Sequence, residues 1–196
     1  MMDYIFLLGP SAVGKTTLAR KLYLHYNGVY LEQNMVPEFA IPDRCADEGI
    51  FEEQVCWDNV LLQLRWFHEQ GFQNIVALDF DDLRVRELPL LFRGYRFILL
   101  RLVSSDTAQI RKQMIYRHSH EGGLFCPENI DRSNAKIMSR KLLPNEVMID
   151  VAGKTKDAVF DEAVSVIDSF EPLLHYDYEP DAECHYLSWV QSRHLS

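Results

Sequence analysis

The residues with the clearest chemistry are Gly9-Pro10-Ser11-Ala12-Val13-Gly14-Lys15-Thr16, directly after the first apolar run. They fit G-x-x-x-x-G-K-[ST], a spacing that wraps backbone around a polyphosphate. Gly9 and Gly14 are expected to let the chain turn back and approach phosphate oxygens where a Cβ would intrude. The N–H groups between them then form an anion nest at the positive N-terminus of the following helix. Lys15 brings a mobile ammonium to the β- and γ-phosphates, and the Thr16 hydroxyl is a hard oxygen ligand for Mg²⁺. With Thr17 they compose a site for a nucleoside triphosphate and its metal.

Asp79 is the second anchor. It closes the apolar run Asn74-Ile75-Val76-Ala77-Leu78, one helical crossover after the loop. A carboxylate at such a strand end aims at Mg²⁺ or a bound water beside the phosphates, or else caps the next turn. Asp81 and Asp82 take its place if the strand ends later. Arg111 and Arg117 precede Gly122-Gly123 and suit a lid that balances the charge spread over a transferring phosphoryl group. Six residues apart they lie on different helical faces, so both reach one ligand only if the helix frays or the lid folds over. Arg132 and Arg140 form a weaker second pair. For an acceptor, the irregular stretch from Glu32 to Asp47 offers Glu38, Asp43 and Arg44, with Asp79 competing as general base. The same stretch also reads as a charged surface loop.

The elements that must position these groups alternate. Tyr4–Leu8 reads as a buried strand, Thr17–His25 as a helix and Val29–Leu31 as a short strand. Phe51–Gln70 reads as a helix with Val55, Leu61, Leu62, Leu64 and Phe67 on its core face, ended by Gly71. Leu83–Phe92 is a short helix or turn region, and Tyr95–Val103 a buried strand. Ser104-Ser105-Asp106 caps a helix running to about Arg117. A helix within 127–143, a strand at 147–151 and a helix at 155–170 follow. Apolar strands alternating with helices imply a parallel sheet covered on both faces, with ligands at the strands' carboxyl ends.

The composition sets bounds. The 196 residues suit one compact domain, and a net charge of −9 argues against nucleic acid or an anionic membrane as partner. No apolar run reaches the roughly 18 residues of a membrane span. Met1-Met2-Asp3 lacks the charged region of a signal peptide, so the expected location is the cytoplasm. Cys45, Cys56, Cys126 and Cys184 are scattered and read as reduced thiols, and His118 and His120 as polar loop residues, not a metal pair.

GPSAVGKTTLARKL resembles the adenylate-kinase-like group of small P-loop kinases, which includes nucleoside-monophosphate, shikimate, gluconate and chloramphenicol kinases. The strand ending at Asp79, FILLRLVSSDTAQIRKQMIYR before a lid, and VMIDVAGKTKDAVFDEAVSVID are similar to that group as well. The resemblance implies a three-layer α/β/α fold with a five-stranded parallel sheet of order 2-3-1-4-5 and a lid at about 111–135. It implies Mg²⁺-ATP as donor, a small-molecule or nucleotide acceptor, and a base near Ala152-Gly153-Lys154, with Gly153 in the nucleotide site. The kinase domain is expected over 1–170, with an acidic, aromatic extension over 171–196 packed on it. A helix is expected at 182–193, packing on the domain or on another subunit, which leaves a homodimer open. The chain departs from the group where the acceptor is read: Leu31-Glu32-Gln33-Asn34 lacks the DxD of shikimate kinases. An alternative class is a regulatory NTPase that uses hydrolysis as a switch. The Asn-Lys-x-Asp base-reading motif of a GTPase is absent.

Overall fold

The computed structural model describes residues 1–41, 48–121 and 130–180, without the side chains of 48–50, 117, 118 and 121. Within it run β1 (Tyr4–Leu8), α1 (Lys15–His25), β2 (Val29–Glu32), α2 (Glu48–Glu69) and β3 (Ile75–Leu78). The one-turn helices α3 (Asp82–Val85) and α4 (Leu88–Leu91) lead to β4 (Phe97–Val103), α5 (Ala108–Glu121), α6 (Ile130–Ser139), β5 (Glu146–Asp150) and α7 (Lys156–Ser169). The strands pair parallel throughout, in the order β2-β3-β1-β4-β5 that the sequence resemblance implied.

Side chains alternate across each strand, and both faces are covered. Ile5 and Leu7 of β1 join Ile98, Leu100 and Leu102 of β4 under α1, α5 and α7. Tyr4, Phe6 and Leu8 join Phe97 and Leu99 under α2 and the α3–α4 segment. Each fully buried side chain of this kind stabilises the fold by about 1.5–3 kcal/mol. The α2 stripe is Trp57, Val60, Leu61 and Leu64, at i, i+3, i+4 and i+7. Leu62, expected on the core face, is 65% exposed because it sits one step off that stripe.

The chain leaves β1 toward β3 and β2 on one side, then crosses to β4 and β5 on the other. The reversal places a crevice at the carboxyl ends of β1, β3 and β4. Residues 171–180 return along the opposite side. Asn145 brackets Leu173, accepting from its N–H at 2.8 Å and donating to its carbonyl at 3.0 Å. The Tyr176 and Tyr178 hydroxyls donate to the carbonyls of Pro89 and Arg86. The helix expected at 182–193 lies outside the described residues. Among the described residues no helix is long and apolar enough to cross a membrane.

Candidate active site

The loop 9–14 connects β1 to α1 through three left-handed positions, Gly9 at φ 137°, Ala12 at 63° and Gly14 at 106°. The two glycines do different work. A Cβ on Gly9 would stand 2.3 Å from the Leu102 carbonyl oxygen, so this glycine is required by packing on β4. This packing need stands beside the expectation that Gly9 lets the chain turn back toward phosphate. A Cβ on Gly14 would meet nothing within 4 Å, because it points into open space at the start of α1. Gly14 caps α1 without a side-chain hydrogen bond, and no acidic residue stands in the first turn. The positive end of an eleven-residue helix therefore faces the crevice.

Lys15 folds back over this loop. Its Nζ donates to the carbonyls of Gly9 at 3.0 Å and Pro10 at 3.1 Å, and lies 3.7 Å from Asp79 Oδ1. Asp79 reaches that position because its own φ of 69° turns the chain out of β3, a conformation that Asp tolerates better than most residues. Asp81 and Asp82, the alternatives to Asp79, are committed elsewhere. Asp81 caps α3 by accepting from Leu83 N, and Asp82 pairs with Arg86 and Arg140.

Two cavities flank the loop and share Ala12, Gly14 and Thr17. The first, about 460 Å³, runs between α1, α5 and the β5–α7 turn and is lined by Val13, Leu18, Ile110, Tyr116, Val151 and Lys154 among others. The second, about 510 Å³, holds Lys15, Thr16 and Asp79 and is closed by Gln33 and Asn34 after β2 and by Glu52, Glu53 and Cys56 of α2. Burial raises the pKa of Glu53 above the ordinary glutamate range, and the charge of Asp81 adds to the rise. Burial and the neighbouring Glu53 likewise push the Cys56 thiol up, which keeps it protonated. Behind this wall the Arg84 guanidinium lies 5.1 Å from the Trp57 ring and donates to Gln54 at 2.6 Å.

The rim of the first cavity is pinned by two side chains. The Asn134 amide bridges the Ser104 backbone, accepting from its N–H at 3.1 Å and donating to its carbonyl at 2.8 Å. Asp150 accepts from the N–H groups of Ser105 and Ala152, both at 3.0 Å. Partial burial works against its charge, but these hydrogen bonds and Lys154 outweigh it and hold the carboxyl below its ordinary range. Gly153, at φ 69°, is exposed in the turn between Val151 and Lys154 and does not itself line the cavity.

The other expected site residues are placed as follows. Arg111 lies on the exposed side of α5, ion-paired with Asp131 of α6, and lines neither cavity. The side chain of Arg117 lies outside the described residues, as do Asp43 and Arg44. Glu38 is exposed and does not line the second cavity. Arg140 is structural. It is 8% exposed and pairs with Glu146 at 2.8 Å and Asp82 at 3.1 Å, while Arg132 is exposed on α6. The residues missed from sequence are Gln33, Glu52 and Glu53. They show no motif, and only their position past β2 and on the first turns of α2 could have marked them.

Comparison with solved structures decides the architecture. The gluconokinase from Sinorhizobium meliloti superposes with a TM-score of 0.57 at 13% identity, over 85% of this chain and 91% of that one. The fold is that of the small P-loop kinases. Thymidylate kinase from Candida albicans gives a TM-score of 0.54 at 16% identity, over 86% and 92% of the two chains. The tunicamycin resistance protein from Deinococcus radiodurans gives 0.57 at 16% identity, over 88% and 99%. No family model and no curated protein sequence matches the chain. In the P-loop kinase fold the loop 9–16 and Asp79 occupy the switch point of the sheet, where such folds bind ligands.

Proposed function

We propose that this protein is an ATP-dependent phosphotransferase that moves a phosphoryl group to a hydroxyl or phosphate of a small metabolite or nucleotide. The observation that carries this reading is the meeting of two cavities across Ala12, Gly14 and Thr17. A nucleotide switch needs one ligand site, whereas transfer needs a donor and an acceptor face to face at the phosphate loop.

The residues fit a magnesium nucleotide. Gly14 leaves a space that a Cβ would fill, the α1 N-terminus lacks a capping side chain, and Lys15 stands beside both. The largely apolar cavity beside Val13, Ile110 and Tyr116 would hold the base, with Gly153 at the turn above it. Among the described residues no cluster of three or more His, Cys, Asp or Glu could hold a metal unaided. That suits Mg²⁺, which keeps its waters and takes one or two protein ligands besides phosphate oxygens. Thr16 and Asp79 would be those ligands, and the ion would supply positive charge that offsets the negative charge of the phosphates.

The chain does the rest. Lys15 leaves the Gly9 and Pro10 carbonyls for phosphate oxygens, and the loop N–H groups orient them for in-line attack. Glu53, whose pKa burial raises, lines the second cavity and would take the proton of an acceptor hydroxyl. Arg111, released from Asp131, and Arg117 would close over the site as lid arginines. The test is ADP release across a metabolite panel. Turnover of ATP should be slow alone and rise sharply with one compound; equal rates across the panel, or fast basal hydrolysis, would sink the reading.

A further inference from the structure

The cavity beside Lys15 holds a buried hydrogen-bond acceptor without a donor among the described residues. Gln33 lines it while being only 8% exposed. Its Nε2 donates to Glu53 Oε2 at 3.1 Å, which fixes the amide orientation, since the flipped amide would set oxygen against carboxylate. Its Oε1 is then buried with no hydrogen-bond donor among the described residues. A buried amide oxygen without a donor costs free energy that a ligand O–H or N–H recovers.

The rest of the wall points the same way. Glu52, Glu53 and Asp79 contribute carboxylates, and the lining cation among the described residues is Lys15. Lys15 already serves the Gly9 and Pro10 carbonyls and Asp79. An acceptor bearing phosphate or carboxylate calls for arginine or lysine partners. Here it would meet three like charges instead. Burial and the nearby charge of Asp81 outweigh Arg84 and raise the pKa of Glu53, and a ligand ammonium beside it would favour its charged form.

We propose that this cavity takes a small hydroxylated amine with no anionic group, an amino alcohol or amino sugar whose ammonium meets Glu52 and Glu53 and whose hydroxyl or amine donates to Gln33 Oε1. That this ligand is a phosphoryl acceptor rests on the phosphotransferase reading; that it binds does not.

The test is calorimetric titration of the full chain, with and without a non-hydrolysable ATP analogue. The probes are glucosamine, ethanolamine and 2-deoxystreptamine, against glucose, gluconate and thymidine monophosphate. An amine should bind at least about tenfold tighter than any neutral or anionic probe. Gln33→Leu and Glu52→Gln should each weaken it on the order of 10- to 100-fold, the size of a lost charge-assisted hydrogen bond. Melting curves establish that both variants fold. The proposal is overturned if gluconate or thymidine monophosphate binds best, if no amine binds, or if both variants keep full affinity. Amine binding without any ADP release would leave the cavity assignment standing and remove the phosphotransferase reading. ADP release driven by an anionic probe would do the reverse.

Discussion

The Lys15 ammonium lies 3.7 Å from Asp79 Oδ1 while donating to the Gly9 and Pro10 carbonyls, so the cation meant for phosphate rests inside its own loop. Its partners include two backbone oxygens and a partly exposed carboxylate, and an ion pair with a solvated carboxylate contributes about 0–1 kcal/mol. Lys15→Ala should therefore leave the melting temperature within a few degrees of wild type. It should lower ATP-dependent turnover at least 10²- to 10³-fold, the scale of losing a donor that stabilises transition-state charge. Turnover and calorimetric melting on the same preparation check both halves, and retained turnover would refute the phosphate assignment.

Asp79 can be dissected from its backbone. At φ 69° it occupies a region that Asn shares comfortably and Ala does not. Asp79→Asn and Asp79→Ala should both lose Mg²⁺-dependent turnover. Only the alanine should also lose about 1–2 kcal/mol of stability by urea titration. Equal stability of the two variants would show that the turn imposes no such strain.

The two loop glycines should fail in opposite ways. Gly9→Ala sets a methyl 2.3 Å from the Leu102 carbonyl and should destabilise the whole fold by several kcal/mol. In Gly14→Ala the methyl meets no protein atom within 4 Å. That change should cost about 1–2 kcal/mol of left-handed strain, yet abolish nucleotide binding. Urea titration paired with titration of a fluorescent ATP analogue separates the two outcomes.

This contrast marks how far the sequence could be read. The loop and the strand ending beside Asp79 were legible because a local motif and an apolar run carry them. The sheet order followed from the resemblance those residues bear to the small P-loop kinases. The acceptor wall was not. The expected acceptor residues were Glu38, Asp43 and Arg44, whereas the described wall of the second cavity, the proposed acceptor site, holds Gln33 and Asn34 with Glu52, Glu53 and Cys56. Polar residues on the first turns of an amphipathic helix look the same whether they face water or a cavity. Arg101 was hidden differently, as one charge inside the apolar run of β4 whose partner Glu146 is distant in sequence. Arg140 looked like a lid residue because a salt bridge across elements leaves no periodicity to read.

Arg111 offers a choice between chemistry and packing. Its pair with Asp131 is half-exposed, and such pairs contribute about 0–1 kcal/mol. Arg111→Ala should accordingly move the urea midpoint very little. If the lid carries Arg111 to the phosphates, kcat should fall at least 100-fold with KM for ATP changed much less. A change confined to stability would assign Arg111 to holding α5 against α6.

Glu146 should govern the acid side of the stability profile. Its carboxylate is fully buried, receives Arg101 at 2.6 and 2.8 Å and Arg140 at 2.8 and 3.1 Å, and accepts from Leu143 N at 2.7 Å. Arg101 also donates to the carbonyls of Ile137, Arg140 and Lys141, closing the end of α6. Burial disfavours the charge of Glu146, but the two guanidiniums outweigh it and hold its pKa below the ordinary value of 4.5. A depressed carboxyl stabilises the fold fully above its unfolded pKa, and that stabilisation is lost as pH falls through the folded value. Wild-type stability should thus be flat with respect to this group above about pH 5.5 and decline below 4.5. Asp150, depressed in the same direction, adds to the decline from slightly lower pH. Glu146→Gln should cost about 3–5 kcal/mol at neutral pH, because Arg101 is left buried beside a neutral partner. It should also show a shallower loss on acidification, leaving mainly the share of Asp150. Urea titrations of both proteins between pH 3 and 7 read these two slopes, and parallel curves would show that Glu146 does not set the acid limit.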